Sequence, residues 1–208
     1  MKNKTSAFTL AETLLTLAIV GVVATLTVPT LKVHSDEVKF VSAVKKAFAT
    51  ANSATAAVEM KHGDMAFWAS SCGTRAVDWY REVMNTVPNP TGAASWTHTN
   101  LSGNATVDTM TPNFFTADGM AWQLKSENGA CSIIVDTNGE QPPNAGGIDR
   151  AHFVAGRASD GSYLLVPYGA PNTPGAAGQK GCTYYIMKNS KMPWFRNSSG
   201  HNSCSEYF

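Results

Sequence analysis

The stretch AFTLAETLLTLAIVGVVATLTVPTL, residues 7–31, decides the architecture that this sequence predicts. Glu12 is its only ionisable side chain, and the run from residue 13 to residue 31 carries no charge. A helix rises about 1.5 Å per residue, so this run would span roughly 28 Å, which is close to the hydrocarbon thickness of a bilayer. The sequence therefore predicts a helix that crosses a membrane.

A secretory signal peptide that is cut off is the alternative interpretation of the same run. Such peptides have an apolar region of about 7–15 residues, followed by a small-x-small cleavage site. The run here is longer, and Pro-Thr-Leu-Lys at residues 29–32 is a poor site for that cleavage. A cysteine for lipidation is also missing, since the first cysteine is Cys72. A retained membrane helix is the favoured interpretation.

Composition and charge suit one globular domain joined to this helix. The chain has 208 residues, of which 43% are hydrophobic and 15% charged, and its formal net charge is +1. No basic run exceeds Lys45-Lys46, so no nucleic-acid partner is expected. Lys2 and Lys4 precede the apolar run and favour a cytoplasmic amino terminus, with the rest of the chain outside. Four cysteines, an even number, fit an oxidising compartment.

The start of the chain carries a recognisable motif. Residues 7–15, AFTLAETLL, follow a short basic leader and resemble the cleavage and methylation motif of type IV prepilins and type II secretion pseudopilins. The resemblance implies that a prepilin peptidase cuts between Ala7 and Phe8, and that the new amino group of Phe8 is methylated. The family usually has glycine where this chain has Ala7.

Glu12 and Pro29 are the two assembly residues that the resemblance implies. An ionised side chain inside a bilayer costs on the order of 2.5–3.5 kcal/mol, so a lone carboxylate needs a partner. No Lys, Arg or His lies within the apolar run, which leaves a terminal amine: the helix's own, or that of Phe8 in a neighbouring subunit. The alternative is a polar residue that reaches the interface near the helix end. Pro29 would kink the helix or locally melt it, the alternative being simple helix termination.

The helical pattern resumes beyond Pro29. Apolar or small residues recur at spacings of three and four, at Val38, Val41, Val44, Phe48, Ala51, Thr55 and Val58, and His62-Gly63-Asp64 ends the pattern. One long helix is therefore predicted, with its amphipathic half packed on a globular head. The expected organisation is a leader at 1–7, a transmembrane and assembly helix at 8–31, the amphipathic half at 32–62, and the head at 63–208.

The head is predicted to be α+β. Residues 74–86 suggest a short helix, and residues 88–111, rich in Pro, Gly, Ser, Thr and Asn, suggest a long surface connection. Alternating apolar residues at 120–124 and 131–135, joined through Asn128-Gly129, predict a β-hairpin. Further strands are predicted at 162–168 and 183–187. An antiparallel sheet follows, and the pilin resemblance likewise implies a long helix packed on an antiparallel sheet.

Four cysteines can form two disulfides in three different connectivities, and the sequence alone does not choose among them. The pilin resemblance implies a disulfide-bounded loop from Cys182 to Cys204, and Cys72 would then pair with Cys131. No CxxC motif and no histidine at ligand spacing from a cysteine is present, so zinc is not expected.

Residues 136–149, DTNGEQPPNAGGID, resemble a loop of some secretion-type pilin-like proteins, and major pseudopilins carry a calcium-stabilised loop in their heads. Asp136, Asn138 and Asp149 are the candidate calcium ligands, because carboxylate and amide oxygens suit this ion. The spacing fails the EF-hand pattern, since Gln141 stands where the turn glycine would be. In the alternative, these side chains make Asx-turns with their own backbone. No other cofactor is expected.

The expected function is structural: a pilin or pseudopilin of a type IV pilus or a type II secretion pseudopilus, and not an enzyme. The sequence lacks HExxH, GxSxG, Walker and GxGxxG motifs. The family implies a place in the bacterial inner membrane with a periplasmic head, and later in a filament at the cell surface. The partners it implies are identical or homologous subunits, the peptidase, a motor ATPase, an inner-membrane platform and membrane lipid.

Two other functions remain open. The first is a minor pilin that acts as an adhesin or ligand-binding module, for which Trp96, Trp194, Phe195 and Tyr207 are candidate contacts, although such aromatics more often belong to a core. The second is an extracytoplasmic enzyme held by an uncleaved signal anchor, which no catalytic motif supports.

Overall fold

The computed structural model of the protein divides the chain into two units, Met1–Asp36 and Glu37–Phe208. It describes residues 9–68, 71–90, 92, 94–101, 106–127, 129–157, 163–169, 182–195 and 204. The predicted leader and the predicted cleavage site between Ala7 and Phe8 lie outside the described residues. Helix α1, Leu10–His62, begins in the first unit and ends in the second.

In the first unit, α1 is apolar and every described residue up to 35 is exposed. Its most apolar window has a mean hydropathy of 2.2, and none of that window is buried within the protein. The helix is long and apolar enough to cross a membrane, a test of length and composition that a signal sequence also passes. This part of the chain is compatible with membrane anchoring.

Polar groups in this apolar run are satisfied within the helix. The hydroxyls of five threonines donate hydrogen bonds of 2.8–2.9 Å to carbonyl oxygens three or four residues earlier: Thr13, Thr16, Thr25, Thr27 and Thr30. Such bonds remove the cost of placing a hydroxyl in hydrocarbon. The helix also continues through Pro29, so it does not terminate there.

In the second unit, one stripe of α1 is buried. Val44, Ala47, Ala51 and Val58 have no exposed surface, and Val41 and Thr55 are also buried. The predicted stripe is displaced at its start, because Val38 is 53% exposed and Phe40 takes the inward position. Two short helices follow α1: α2, Met65–Trp68, and α3, Arg75–Val83.

The main sheet has six strands in the order β1-β4-β5-β6-β7-β8, and all neighbouring strands are antiparallel. Its strands are β1 Thr86–Val87, β4 Phe114–Thr116, β5 Ala121–Glu127, β6 Ala130–Asp136, β7 Arg150–Arg157 and β8 Tyr163–Pro167. Strands β2 Trp96–Thr99 and β3 Thr106–Met110 form a separate hairpin. Helix α4, Cys182–Asn189, and a 3₁₀ turn, Pro193–Phe195, complete the second unit.

The sheet is covered on both faces. Its front face, which includes Trp122, Ile133, Val135 and Phe153, belongs to the same apolar core as the α1 stripe, and the rings of Phe48 and Phe153 lie 5.3 Å apart. Its back face meets the β2–β3 hairpin in a smaller core of Trp96, Met110, Phe115, Ala121 and Ile134. Because successive side chains of a strand point to opposite faces, all seven residues of β6 are buried.

Several predicted elements differ from those observed. The β5–β6 hairpin is present, with Glu127 opposite Ala130, and a strand is present near residue 163. The segment 183–187 lies in helix α4, where Cys182, Thr183 and Ile186 are buried at helical spacing. The surface connection predicted at 88–111 instead contains β2 and β3, while β1, β4 and β7 were not predicted at all.

Two disulfides hold the second unit together. Cys72 pairs with Cys131 and Cys182 with Cys204, the pairs that the pilin resemblance implied. The first joins the turn before α3 to β6, and all four cysteines are fully buried.

A matched pair of valines tests the packing of α1. Replacing Val44, which is fully buried, by Ala should lower the free energy of unfolding by about 2 kcal/mol, because the core loses apolar contact and gains a cavity. Replacing Val38, which is 53% exposed on the same helix, by Ala should change it by less than about 0.5 kcal/mol. Denaturant unfolding of the full chain in detergent measures both. Equal losses would contradict the observed stripe.

Candidate functional site

Glu12 forms a reciprocal capping box with Thr9 at the start of α1. The carboxylate oxygen Oε2 of Glu12 accepts hydrogen bonds from the backbone N–H of Thr9, at 2.8 Å, and from its hydroxyl, at 2.9 Å. In return, the N–H of Glu12 donates to Oγ1 of Thr9 at 3.3 Å. This satisfies N–H groups that a helix leaves unpaired at its amino end. This capping role of Glu12 was not predicted, although residues 9–12, Thr-Leu-Ala-Glu, match the Ser/Thr-x-x-Glu signature.

The capping box keeps the only acid of the apolar run at the helix start, four residues after Phe8. Pairing of Glu12 with the amine of Phe8 stays a prediction, because residues 1–8 lie outside the described part of the chain.

A second candidate site is the loop from Asp136 to Asp149, which connects β6 to β7. Asp136 lies at the end of β6 on the back face of the sheet and has no exposed surface. Its Oδ2 accepts hydrogen bonds from Nε1 of Trp96 at 3.0 Å and from Nε2 of His98 at 2.9 Å. His98 is also fully buried. The Asp136 carboxylate therefore links the β2–β3 hairpin to the main sheet.

The same hairpin is attached by further polar contacts. Arg150 of β7 forms an ion pair with Asp108 of β3, and Lys125 of β5 lies 4.0 Å from the same carboxylate. The N–H of Thr99 donates to the carbonyl of Asn144 at 2.9 Å, and Gly146 donates back to the carbonyl of Thr99 at 3.0 Å. The hairpin and the loop are thus joined through backbone as well as side chains.

Asp149 closes the loop from its other end. Its Oδ2 accepts a hydrogen bond from the N–H of Asn144 at 2.7 Å, and its Oδ1 accepts one from the N–H of Ala145 at 3.0 Å. Burial, and then the negative charge of Asp136, raise the pKa of Asp149 to about 7. Two buried carboxyl groups thus share one neighbourhood, and the proton of Asp149 relieves their repulsion.

The structure places the three candidate calcium ligands in this one loop. Asn138 donates its N–H to Oδ1 of Asp136 at 3.2 Å, which is an Asx-turn contact, and its Nδ2 donates to the carbonyls of Gln141 and Pro142. Every carboxylate oxygen of Asp136 and Asp149 thus already faces an N–H donor. These donors fit the Asx-turn alternative.

Some oxygens of the loop still lack a partner. Within the described residues, Oγ1 of Thr137, Oδ1 of Asn138 and Oδ1 of Asn144 are buried without a hydrogen bond. No group of three or more His, Cys, Asp or Glu side chains within the described ranges could hold a metal ion. The loop therefore fits calcium only in part, because the two carboxylates would have to exchange N–H donors for the ion. Calcium binding stays a prediction.

The carboxyl-terminal disulfide packs directly on this loop. Gly147 has a φ of +88°, and a Cβ atom there would lie 2.9 Å from Cβ of Cys182 and 3.1 Å from Sγ of Cys204. The carbonyl oxygen of Gly147 accepts a hydrogen bond from Nε1 of Trp194 at 2.9 Å. Only glycine fits at this position, since it combines a positive φ with the close approach of two sulfur-bearing side chains.

The aromatic candidates for ligand contact occupy other environments. Trp96 and Trp194 are buried, Phe195 is partly buried, and Tyr207 lies outside the described residues. Phe67 of α2, which the sequence analysis did not name, is 87% exposed. A groove of about 560 Å³ also runs along small residues of α1 such as Ala49, Ser53 and Ala57.

Comparisons with known proteins add no relative to this description. No protein-family model, no curated protein and no solved structure matches the chain.

The raised pKa of Asp149 predicts a pH-dependent stability. Between the ordinary pKa of an aspartate, 3.8, and about 7, Asp149 is protonated in the folded protein but ionised in the unfolded chain. The stability that a protonated Asp149 allows is therefore fully present below pH 3.8, and it is lost as the pH rises towards 7. The free energy of unfolding should fall by up to a few kcal/mol over this interval in calcium-free buffer.

The variant Asp149→Asn isolates this effect, because it cannot titrate. It should be less stable than the unmodified chain in acid, where the two differ most, and the difference should shrink towards neutral pH. Denaturant unfolding at a series of pH values measures both proteins. A difference that stays constant with pH would show that Asp149 ionises normally in the fold.

Proposed function

We propose that this chain is a structural subunit of the pilin and pseudopilin class, anchored in the bacterial inner membrane. In this proposal, residues 1–7 are removed by a prepilin peptidase and Phe8 becomes the methylated amino terminus. The first part of α1 holds the chain in the membrane and later packs among identical or homologous subunits. The second unit forms the periplasmic head.

One observation carries the proposal: a single helix has an apolar part that none of the described residues buries and a second part that is buried in a head. The first part exposes large side chains such as Leu10, Leu17 and Leu26 at 68–77%. Exposed apolar area costs roughly 25 cal/mol per Å² in water, so these residues need an apolar environment. Lipid can supply it before assembly, and neighbouring helices can supply it within a filament.

The capping box suggests how Glu12 serves both states. In the membrane, the bonds from Thr9 satisfy the carboxylate within its own subunit. In a filament, the amine of Phe8 from a neighbour could replace the Thr9 hydroxyl and add a full positive charge. Register between subunits would then depend on Glu12. The motor ATPase and the platform follow from the resemblance alone, which covers type IV pili and secretion pseudopili alike.

A ligand-binding minor pilin is the second candidate, and the exposure of Phe67 favours it. Its side chain is 87% exposed on the four-residue helix α2 and contributes little to the core, which leaves its ring accessible to another molecule. The enzyme alternative has no comparable observation in its favour.

Mass spectrometry of the mature amino terminus tests the proposal directly. We expect a chain that begins at a methylated Phe8. An intact Met1, or a terminus beyond residue 31 produced by a signal peptidase, would contradict the proposal.

Three variants separate the charge of Glu12 from its capping role. Glu12→Ala and Glu12→Gln should block or slow filament assembly, because each removes the partner of the incoming amine. Thr9→Ala also breaks the capping box, at a cost of about 1 kcal/mol, but keeps the carboxylate, and should assemble far better. Filament yield from whole cells, normalised to subunit level, gives the readout. Equal loss in Thr9→Ala and Glu12→Gln would point to capping alone.

A further inference from the structure

Two segments of the second unit meet where α1 enters that unit. The first segment is residues 37–45 of α1. The second is residues 188–195, which comprise the last two residues of α4 and the six residues after it. Oε1 of Glu37 accepts a hydrogen bond from the N–H of Met192 at 3.0 Å, and the rings of Phe40 and Phe195 lie 5.8 Å apart. Residues distant in sequence therefore form one continuous surface here.

This surface carries a cluster of lysines, which we call the lysine cluster: Lys39, Lys45, Lys188 and Lys191. Nζ of Lys45 donates a hydrogen bond to Oγ of Ser190 at 2.5 Å, which brings the two segments together at the cluster. Glu37 is the only acid in the two segments, and it is buried with its Oε1 bonded to the backbone. Asp36 directly precedes the first segment, and the four lysines still leave this surface with an excess of positive charge, in a chain whose formal net charge is +1.

The lysine cluster differs from the other lysines of the second unit. Across the described ranges, none of its four members forms an ion pair, and three of them are exposed while Lys45 is half-buried. By contrast, Lys46 pairs with Asp118 at 2.8 Å, Lys61 with Glu82 at 3.8 Å and Lys125 with Asp108 at 4.0 Å. Among the described residues of the second unit, these four are thus the lysines without an ion pair.

Aromatic rings support two members of the cluster. Nζ of Lys39 lies 5.9 Å from the centre of the Phe40 ring, and Nζ of Lys188 lies 5.8 Å from that of Tyr184. Each ring gives the lysine an apolar surface for its stem and a weak cation–π attraction for its head. An ammonium group held in this way remains available to an anion from outside.

We propose that the lysine cluster binds the anionic phospholipid headgroups of the membrane in which the chain is anchored. Lys39 follows Leu31, the last residue of the uncharged run, by only eight positions in the sequence of α1. Lysine is a point charge without the fork geometry of arginine, which suits mobile phosphates better than a fixed carboxylate partner. Clusters of lysines next to a membrane helix are attracted by anionic lipid.

The inference rests on the membrane anchoring proposed above, and it does not depend on filament assembly. Its consequence for the subunit is a head held against the membrane surface until assembly draws the chain out. Because the attraction is electrostatic, it weakens with salt and with loss of anionic lipid.

The full chain in single-copy lipid nanodiscs provides the test, with amine-reactive labelling of each lysine followed by mass spectrometry. Discs of phosphatidylcholine are compared with discs that also contain phosphatidylglycerol. We expect labelling of each of the four cluster lysines to slow about fivefold in the anionic discs at low salt. Labelling should not slow in the phosphatidylcholine discs or at high salt. Lys46 and Lys61 act as internal controls and should label equally in both.

A matched pair of double variants completes the experiment. In Lys188→Gln/Lys191→Gln, labelling of Lys39 and Lys45 in anionic discs should become faster, whereas Lys46→Gln/Lys61→Gln should leave it unchanged. Equal labelling of the cluster in both kinds of disc would overturn the inference while leaving the anchoring intact. Protection in the anionic discs that persists at high salt would contradict an electrostatic contact with headgroups and overturn the inference too. A chain that does not enter discs would overturn the anchoring itself.

Discussion

Burial of one stripe of α1 against the front face of a sheet is the constraint on which the second unit depends. Val44, Ala47, Ala51 and Val58 are completely enclosed, and the same apolar core takes in residues of α3, β5, β6, β7 and α4. Small alanines at two of the four positions allow the helix backbone to approach the sheet closely. The helix therefore serves as the core element of the head, and it is also the segment that continues into the apolar run.

The back face of the sheet is held largely by polar contacts, unlike the front face. There the core between the hairpin and the main sheet is small among the described residues, and polar contacts supply much of the attachment. Asp136 is the centre of these contacts, since one carboxylate holds a tryptophan and a histidine of the hairpin and starts the loop that ends at Asp149. A buried charge is favourable only when its hydrogen bonds are complete, and the hairpin provides the donors.

Periodicity carried most of what could be predicted from the sequence. The long helix, its buried stripe and the β5–β6 hairpin follow from spacings of three to four and of two, which depend on the backbone alone. Helix α4 was mistaken for a strand because Thr183, Tyr184 and Tyr185 favour strands locally, while burial of Cys182 and Ile186 at helical spacing decided otherwise. The hairpin of β2 and β3 is too short for a clear alternation. The hydrogen bonds of Asp136 join it to residues about 40 positions away, and those of Asp149 cross a turn. A local sequence pattern predicts neither kind of contact.

The contact between Gly147 and the Cys182–Cys204 disulfide sets an order on maturation. The loop at 136–149 is synthesised before Cys182, Trp194 and Cys204, against which it rests. It cannot reach its final packing until those later residues have been made. The last part of the chain is thus needed to complete a loop that lies between two central strands, so a chain that stops before Cys182 would leave the loop without its support.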